Sequence, residues 1–380
     1  MRAAGFPPAM LPASAFCPIG LKKHPGLDDA YAHKRDSATA TKGVPVPVMR
    51  AQATFIPGGL VLSVYTHHSV IDGAGSDTIC RIWASGDNGE KGNCADESSA
   101  NGEVIDPSAS RRAIDAMAAL STSNAPPQCR EVTTLDKRRA VAPLRPEPNS
   151  VVARIISFSA SGISRVRAEL QAQTPTRIST VVALMSLLWS HITRARAAAL
   201  AQSNHKTTTL GVAMDMRKRC AENLGKNYVG NMALFSSTEV AVADCTSLLP
   251  MALALTTTLS AVDNEWLTER LAFLSQLDKS SHLVPSFTTR NGPDLFITSA
   301  QRFGMEWDWG IPGTSEGRPS AIRMPDISDP MREGGMIVLP RREEKGRDYE
   351  VQTTLEEGDM ERLLKGLGDL VTRVVDAWRE

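Results

Sequence analysis

Apolar and polar positions along this chain alternate with period two in some stretches, form helical stripes in others, and lose all period in two long segments. Residues 1–50 are rich in Pro, Ala and Lys and show no period, which predicts an extended segment. Residues 51–66 read as one or two strands separated by the turn Pro57-Gly58-Gly59. A short helix follows, capped by Ser76 or Asp77, with Ile79, Ile82 and Trp83 on its i, i+3, i+4 face. From 85 to 150 Gly, Asn, Asp, Ser, Arg and Pro dominate; a helix around 111–120 fits inside, and the rest reads as a long linker. Order returns with a strand over Val152–Phe158, then a helix capped by Ser161 and carrying Ile163, Val166 and Leu170. A strongly apolar helix starts near 179, with Val181, Leu184, Met185, Leu188 and Ile192 at helical spacing. Strands are predicted at 207–214, 229–236 and 294–300, with a helical region between 245 and 278. Strands near 335–339 and 348–354 precede a final amphipathic helix through Met360, Leu363, Leu364, Leu367, Val371, Val374, Val375 and Trp378. No internal repeat is present.

Strands and helices are mixed without clean alternation. The expected fold is therefore α/β (mixed α+β), with a mixed sheet covered by helices rather than a doubly wound parallel sheet. The expected division is 1–150, holding the linker at 85–150, and 151–380. Acidic and basic residues number 42 each, for zero net charge, which argues against nucleic acid or an anionic membrane as the main partner. The six cysteines, at 17, 80, 94, 129, 220 and 245, form no Cys-x-x-Cys pair; that spacing reads as reduced and cytoplasmic. Prolines 7, 8 and 12 interrupt any signal-peptide core, and the apolar helix at 179–198 holds Ser186, Ser190 and His191, too short and too mixed to span a bilayer.

The richest chemistry is His67-His68-Ser69-Val70-Ile71-Asp72-Gly73, directly after an apolar run ending at Thr66. A histidine at a strand end can accept a proton from a hydroxyl or amine near neutral pH. An aspartate four residues on can fix the backbone or ring that presents it, and the glycine permits a tight turn. If the strand runs through 68, alternation sends His67 and His68 to opposite faces, so one supports and one meets substrate. No phosphate loop and no His/Cys spacing suited to a metal occur, so no metal site is expected. Ser63 and Ser69 lie near the histidines, but no Gly-x-Ser-x-Gly elbow accompanies them.

The stretch resembles the His-x-x-x-Asp-Gly motif of coenzyme A-dependent acyltransferases, with His68, Asp72 and Gly73 at its fixed positions. Trp307-Asp308-Trp309-Gly310 resembles the Asp-Phe-Gly-Trp-Gly block of the BAHD family; Asp308 and Gly310 match, Trp309 replaces the phenylalanine, and Ile311-Pro312-Gly313 breaks the following Trp-Gly. Asp215-Met216-Arg217, then Asn227-Tyr228-Val229-Gly230-Asn231, resemble the Asp-x-Arg and Tyr-Phe-Gly-Asn stretches of fungal trichothecene 3-O-acetyltransferases. The resemblance covers about 45 to 378.

It implies a two-lobed, chloramphenicol-acetyltransferase-like fold and an acyltransferase that moves acetyl or another acyl group from coenzyme A to a hydroxyl or amine of a small secondary metabolite. His68 would be the base and Asp72 a structural support paired with Arg217. Acyl-coenzyme A would be a co-substrate, with no bound cofactor. Arg217, Lys218 and Arg219 are candidates for its phosphates, against the plainer reading of a solvated turn. Asp308, Trp309 and Gly310 would brace the fold away from the histidine, and Asn231 would be a further structural residue. The partners would be the acceptor alcohol or amine alone, with no nucleic acid or membrane, and the chain would be a monomer. Relatives carry a further strand and helices ahead of the part matching residues 1–50, so the N-terminal lobe is expected to be incomplete, with sheet uncovered near 51–66. Two other classes remain: a condensation-type domain using carrier-bound thioesters, and a non-catalytic remnant.

Overall fold

The computed structural model describes residues 47–56, 59–68, 70–85, 107–120, 129–134, 137, 140–146, 150–218, 228–277, 283–311, 317–324, 333–342 and 346–376. The apolar run ahead of the histidines folds as a hairpin of β1 (Met49–Ile56) and β2 (Gly59–Thr66), in register from Met49 opposite Thr66 to Ile56 opposite Gly59. The hairpin is a two-stranded sheet of its own. None of its side chains is fully buried, and Phe55 is 80% exposed.

Helix α1 (Gly73–Ser85) follows. Its cap is Asp72 and not Ser76 or Asp77: the Gly75 N–H donates to Asp72 Oδ1 at 2.8 Å and the Ser76 N–H to the Asp72 carbonyl at 2.9 Å. A carboxylate at this position satisfies an orphan amide and sits at the positive end of the helix dipole. The expected apolar face is largely open, with Ile82 44% and Trp83 45% exposed.

The helix read near 111–120 is α2 (Pro107–Ala119). After it comes β3 (Val132–Thr134), which pairs with β7 (Leu283–Pro285). The remaining strands are β4 (Val151–Phe158), β5 (Thr207–Asp215), β6 (Ala233–Ala241), β8 (Leu295–Ser299), β9 (Gly335–Val338), β10 (Tyr349–Glu356) and β11 (Val371–Asp376). They form one seven-stranded sheet in the order β11-β4-β10-β9-β8-β5-β6. It is mixed: β8 runs parallel to β5 and β9, and the other pairs are antiparallel.

Helices α3 (Ala160–Gln171), α4 (Thr180–Ala195), α5 (Ala197–Gln202), α6 (Leu248–Ser260), α7 (Asn264–Ser275) and α8 (Glu357–Leu367) complete the chain. Helix α3 is capped by Ser159, whose Oγ accepts from the Gly162 N–H at 3.2 Å; Ser161, the expected cap, instead meets Ser159 Oγ at 2.7 Å. Helix α4 packs on α3, α6 and α8. Twelve of its residues are buried, which is why its stripe reads as apolar nearly all round. Trp189 is fully buried there, and its indole N–H donates to Thr208 Oγ1 at 3.2 Å, which in turn donates to the Pro293 carbonyl at 2.7 Å. That chain satisfies the one polar atom of a large apolar ring.

Two elements differ from expectation. Strand β6 starts at Ala233, four residues later than predicted, because the backbone at Tyr228, Gly230 and Met232 is engaged elsewhere, as described below. The last helix ends at Leu367, where Gly368 takes φ +51° and the chain turns back. Val371, Val374 and Val375 then lie on β11, which closes the edge of β4. Trp378 lies outside the described residues.

Part of the stretch read as linker is tightly held. Arg145 Nη2 meets Asp359 Oδ1 at 2.6 Å, and its amide and carbonyl bond the Asn291 side chain at 3.0 and 2.8 Å. Asp359 also pairs with Arg196, just past the end of α4, at 3.3 Å, and Arg196 reaches Glu333 at 3.2 Å. Arg196, Glu333 and Asp359 are all but fully buried, so each charge depends on its partners.

The Trp189→Ala variant should lose about 3–5 kcal/mol of stability, the cost of emptying a large core site. Urea denaturation monitored by circular dichroism measures this.

Candidate active site

Strand β2 ends at Thr66, so alternation does not separate the two histidines as expected; a turn does. The His67 N–H donates to the Val48 carbonyl at 2.8 Å, and the Val70 and Ile71 amides return to the His67 carbonyl at 2.9 and 3.0 Å. In that turn His67 is half-buried and His68 exposed. The Thr66 and Ser76 hydroxyls, 2.7 Å apart, tie the strand end to α1.

Asp72 anchors the far side of the turn. It is 2% exposed, and both oxygens are fully used. Oδ1 accepts from the Gly75 amide at 2.8 Å and Arg217 Nη2 at 3.0 Å; Oδ2 accepts from the Met232 amide at 2.7 Å and Arg217 Nη1 at 3.1 Å. Among the described residues the His68 ring makes no hydrogen bond to this carboxylate. With its lone pairs filled, the Asp72 carboxylate has no acceptor position left for the His68 ring.

Arg217 is equally committed. Its Nε donates to the Tyr228 carbonyl at 2.9 Å, Nη1 also donates to Asp215 Oδ1 at 2.8 Å, and Nη2 also donates to the Gly230 carbonyl. Burial alone would lower its pKa, but hydrogen bonds and charge from Asp72 and then Asp215 outweigh that and raise it above the ordinary value. All five N–H groups are occupied. Arg217 therefore has no donor left for a phosphate, which corrects its place among the candidates for coenzyme A contact. The side chain of Lys218 and the whole of Arg219 lie outside the described residues.

The segment following Arg217 closes on the same turn. Asn231 Nδ2 donates to the His68 carbonyl at 2.8 Å. A Cβ at Gly75 would lie 2.1 Å from the Val229 carbonyl oxygen, so only a residue without a side chain lets α1 approach this backbone. Gly73 does not supply the tight turn expected of it, because its φ is not positive. Its contribution is space: a Cβ there would stand 3.0 Å from Phe303 Cε2.

The aromatic block also reaches this helix. Trp309 meets Trp83 edge-on, with ring centroids 5.8 Å apart. Asp308 Oδ1 accepts from the Gly310 amide at 2.9 Å, and the Trp309 amide donates to the Gly317 carbonyl at 2.8 Å. Asp308 and Gly310 thus shape a turn, while Trp309 and Phe303 brace α1. Asp72, Arg217 and Asn231 gather at the His68 turn, whereas Trp309 touches the helix behind it and Asp308 and Gly310 shape the turn that carries Trp309. The Met232 amide, the Gly75 approach and the Phe303 and Trp83 contacts had no signal in the sequence; the Asp215-x-Arg217 spacing was the one visible hint of a preformed arginine.

The sequence profile of the Transferase family matches residues 29–367. The chain belongs to that family, the BAHD-like coenzyme A-dependent acyltransferases. It is 25% identical over 381 residues to the trichothecene 8-O-acetyltransferase of Fusarium sporotrichioides, covering 92% of this chain and 76% of that one. It is 25% identical over 350 residues to the eremophilane O-acetyltransferase prx11 of Penicillium rubens, covering 86% of this chain and 69% of that one. Its fold is similar to that of F. graminearum TRI101, solved with coenzyme A and deoxynivalenol, at a TM-score of 0.70 and 21% identity over 88% of this chain and 71% of that one. The chain is an acyltransferase of the mixed α/β class. Among the described residues no helix is long and apolar enough to cross a membrane, and no group of three or more His, Cys, Asp or Glu is placed to hold a metal ion.

Removing either partner of the Asp72–Arg217 pair leaves a buried, uncompensated charge. Asp72→Ala and Arg217→Ala should each cost roughly 3–5 kcal/mol. The double variant should lose clearly less than the sum, because the orphaned charge is gone. Chemical denaturation of the three variants gives the coupling.

Proposed function

We propose that this acyltransferase moves an acyl group, most simply acetyl, from coenzyme A to a hydroxyl or amine of a small secondary metabolite, with His68 as general base. The acceptor oxygen or nitrogen attacks the thioester carbonyl while the imidazole takes its proton. The tetrahedral intermediate collapses, the carbon–sulfur bond breaks, and the imidazole returns the proton to the departing thiolate. Neither a metal nor a covalent acyl-enzyme enters this sequence. The observation that carries the reading is the saturated Asp72–Arg217 pair at the turn of an exposed His68, whose backbone is held by Asn231 while its imidazole has no carboxylate partner among the described residues.

Terpenoid-type alcohols are the acceptor class suggested by the trichothecene and eremophilane relatives. The working form is a monomer in the cytosol, a setting in keeping with the free thiols of Cys80, Cys129 and Cys245. Lys218 and Arg219, beside the occupied Arg217, stay as the candidates for the coenzyme A phosphates.

Incubation with acetyl-coenzyme A and a panel of polycyclic alcohols, followed by mass spectrometry, should show products heavier by one acetyl group. His68→Ala should lower turnover by roughly 10²–10⁴-fold, as for loss of a general base, with its melting temperature preserved. His67→Ala should keep most of the activity; the reverse result would reassign the base. Acetyl-coenzyme A should also raise the melting temperature, which a non-catalytic remnant with no ligand site would not show.

A further inference from the structure

The sheet face turned away from the helices carries an aromatic cluster that the mechanism does not use. Leu210, Val212, Leu234, Leu295 and Ile297 pack into the helix-covered core. Alternation therefore sends Gly211, Phe235 and Phe296 to the opposite face. There the rings of Phe235 and Phe287 lie 5.7 Å apart edge-on, those of Phe235 and Phe296 5.9 Å apart edge-on, and those of Phe287 and Phe296 6.3 Å apart and near parallel. Gly211 makes this arrangement: a Cβ at that position would fall 2.3 Å from Phe287 Cζ, so the ring lies directly on bare strand backbone. Phe287 is buried, and Phe235 and Phe296 are half-buried, so two rings of a locked cluster still meet solvent.

The strand that carries Phe235 leads directly from the residue that holds the histidine turn. Met232 and Leu234 turn into the core, while Asn231, which holds the His68 carbonyl, is exposed and on the other side of the chain, as Phe235 is. Phe235 follows Asn231 by four residues, a span of at most about 14 Å for extended chain. A fused-ring alcohol whose hydroxyl sits at His68 would lay its far rings in that direction. A shelf already fixed by edge contacts and by the Gly211 backbone loses little side-chain freedom when a flat apolar body covers it.

We propose that Phe235, Phe296 and Phe287, seated on Gly211, form the acceptor wall and select fused-ring alcohols over small ones. The inference rests on the acyltransfer reading above. The test uses the full chain with acetyl-coenzyme A, comparing deoxynivalenol with butanol as acceptors. In Phe235→Ala and in Phe296→Ala the ratio of kcat/KM for deoxynivalenol to that for butanol should fall roughly 10-fold or more, mainly through the KM for deoxynivalenol, as when a pocket loses apolar contact. The KM for acetyl-coenzyme A should hold, and Phe235→Leu should restore part of the ratio. Gly211→Ala, which lifts Phe287, should act in the same direction. An equal loss with both acceptors, or no change in the ratio, would overturn the assignment. If Phe235→Ala does not fold, Phe235→Leu carries the comparison. A wild-type chain inert with every acceptor would defeat the acyltransfer reading instead. Calorimetric binding of deoxynivalenol then decides the wall: binding weakened by Phe235→Leu supports it, and absent or unaltered binding overturns it.

Discussion

The buried Asp72–Arg217 pair is the interaction around which this site is built. An isolated carboxylate at 2% exposure would be too costly to keep charged; here it is met by a bidentate guanidinium and two backbone amides. The pair joins three parts of the chain. Asp72 caps α1 and ends the histidine turn, Arg217 follows β5, and Met232 precedes β6. Each hydrogen bond removed would free one of those parts, and His68 would lose its frame without being touched.

Around this pair, backbone approaches replace side-chain packing. Gly75 lets α1 close on the Val229 carbonyl, and Gly73 lets Phe303 lie against the helix start. The Trp83–Trp309 contact braces the other end of α1, whose remaining apolar surface is open. The helix owes its position to its N-terminus and to these aromatic contacts more than to a buried stripe.

A second charge cluster secures the body that carries β5 and β6. Arg196, Glu333, Asp359 and Arg145 tie the end of α4, the loop before β9, helix α8 and the segment ahead of β4. Arg145 also docks on Asn291, which adopts a positive φ of 44°. Asparagine is among the few side chains that tolerate that conformation. Buried pairs of this kind tolerate few alternative geometries, so they fix how the 140–146 segment returns to the sheet.

Local pattern was enough for the hairpin before His67, for helices α2, α3 and α4, and for strands β4, β5, β8, β9 and β10, because those signals lie within one run of residues. It was also enough for the pairing of Asp72 with Arg217, through the motif resemblance and the Asp215-x-Arg217 spacing. It failed where a distant partner decided the outcome. Val371, Val374 and Val375 read as a helix face, but Gly368 breaks the helix and the free edge of β4 recruits them as a strand. Asp72, and not Ser76 or Asp77, is the cap because the helix starts at Gly73, and the same carboxylate meets Arg217. Strand β6 starts late because its first residues are spent on Asp72, Arg217 and His68. Arg217 read both as the partner of Asp72 and as a phosphate contact in a basic run, and only folding showed every donor engaged. The chain by itself determined the chemistry available at the turn and the class of fold. Which groups are consumed and which stay exposed was decided by contacts between residues more than a hundred positions apart, because satisfying a buried charge outweighs any local preference.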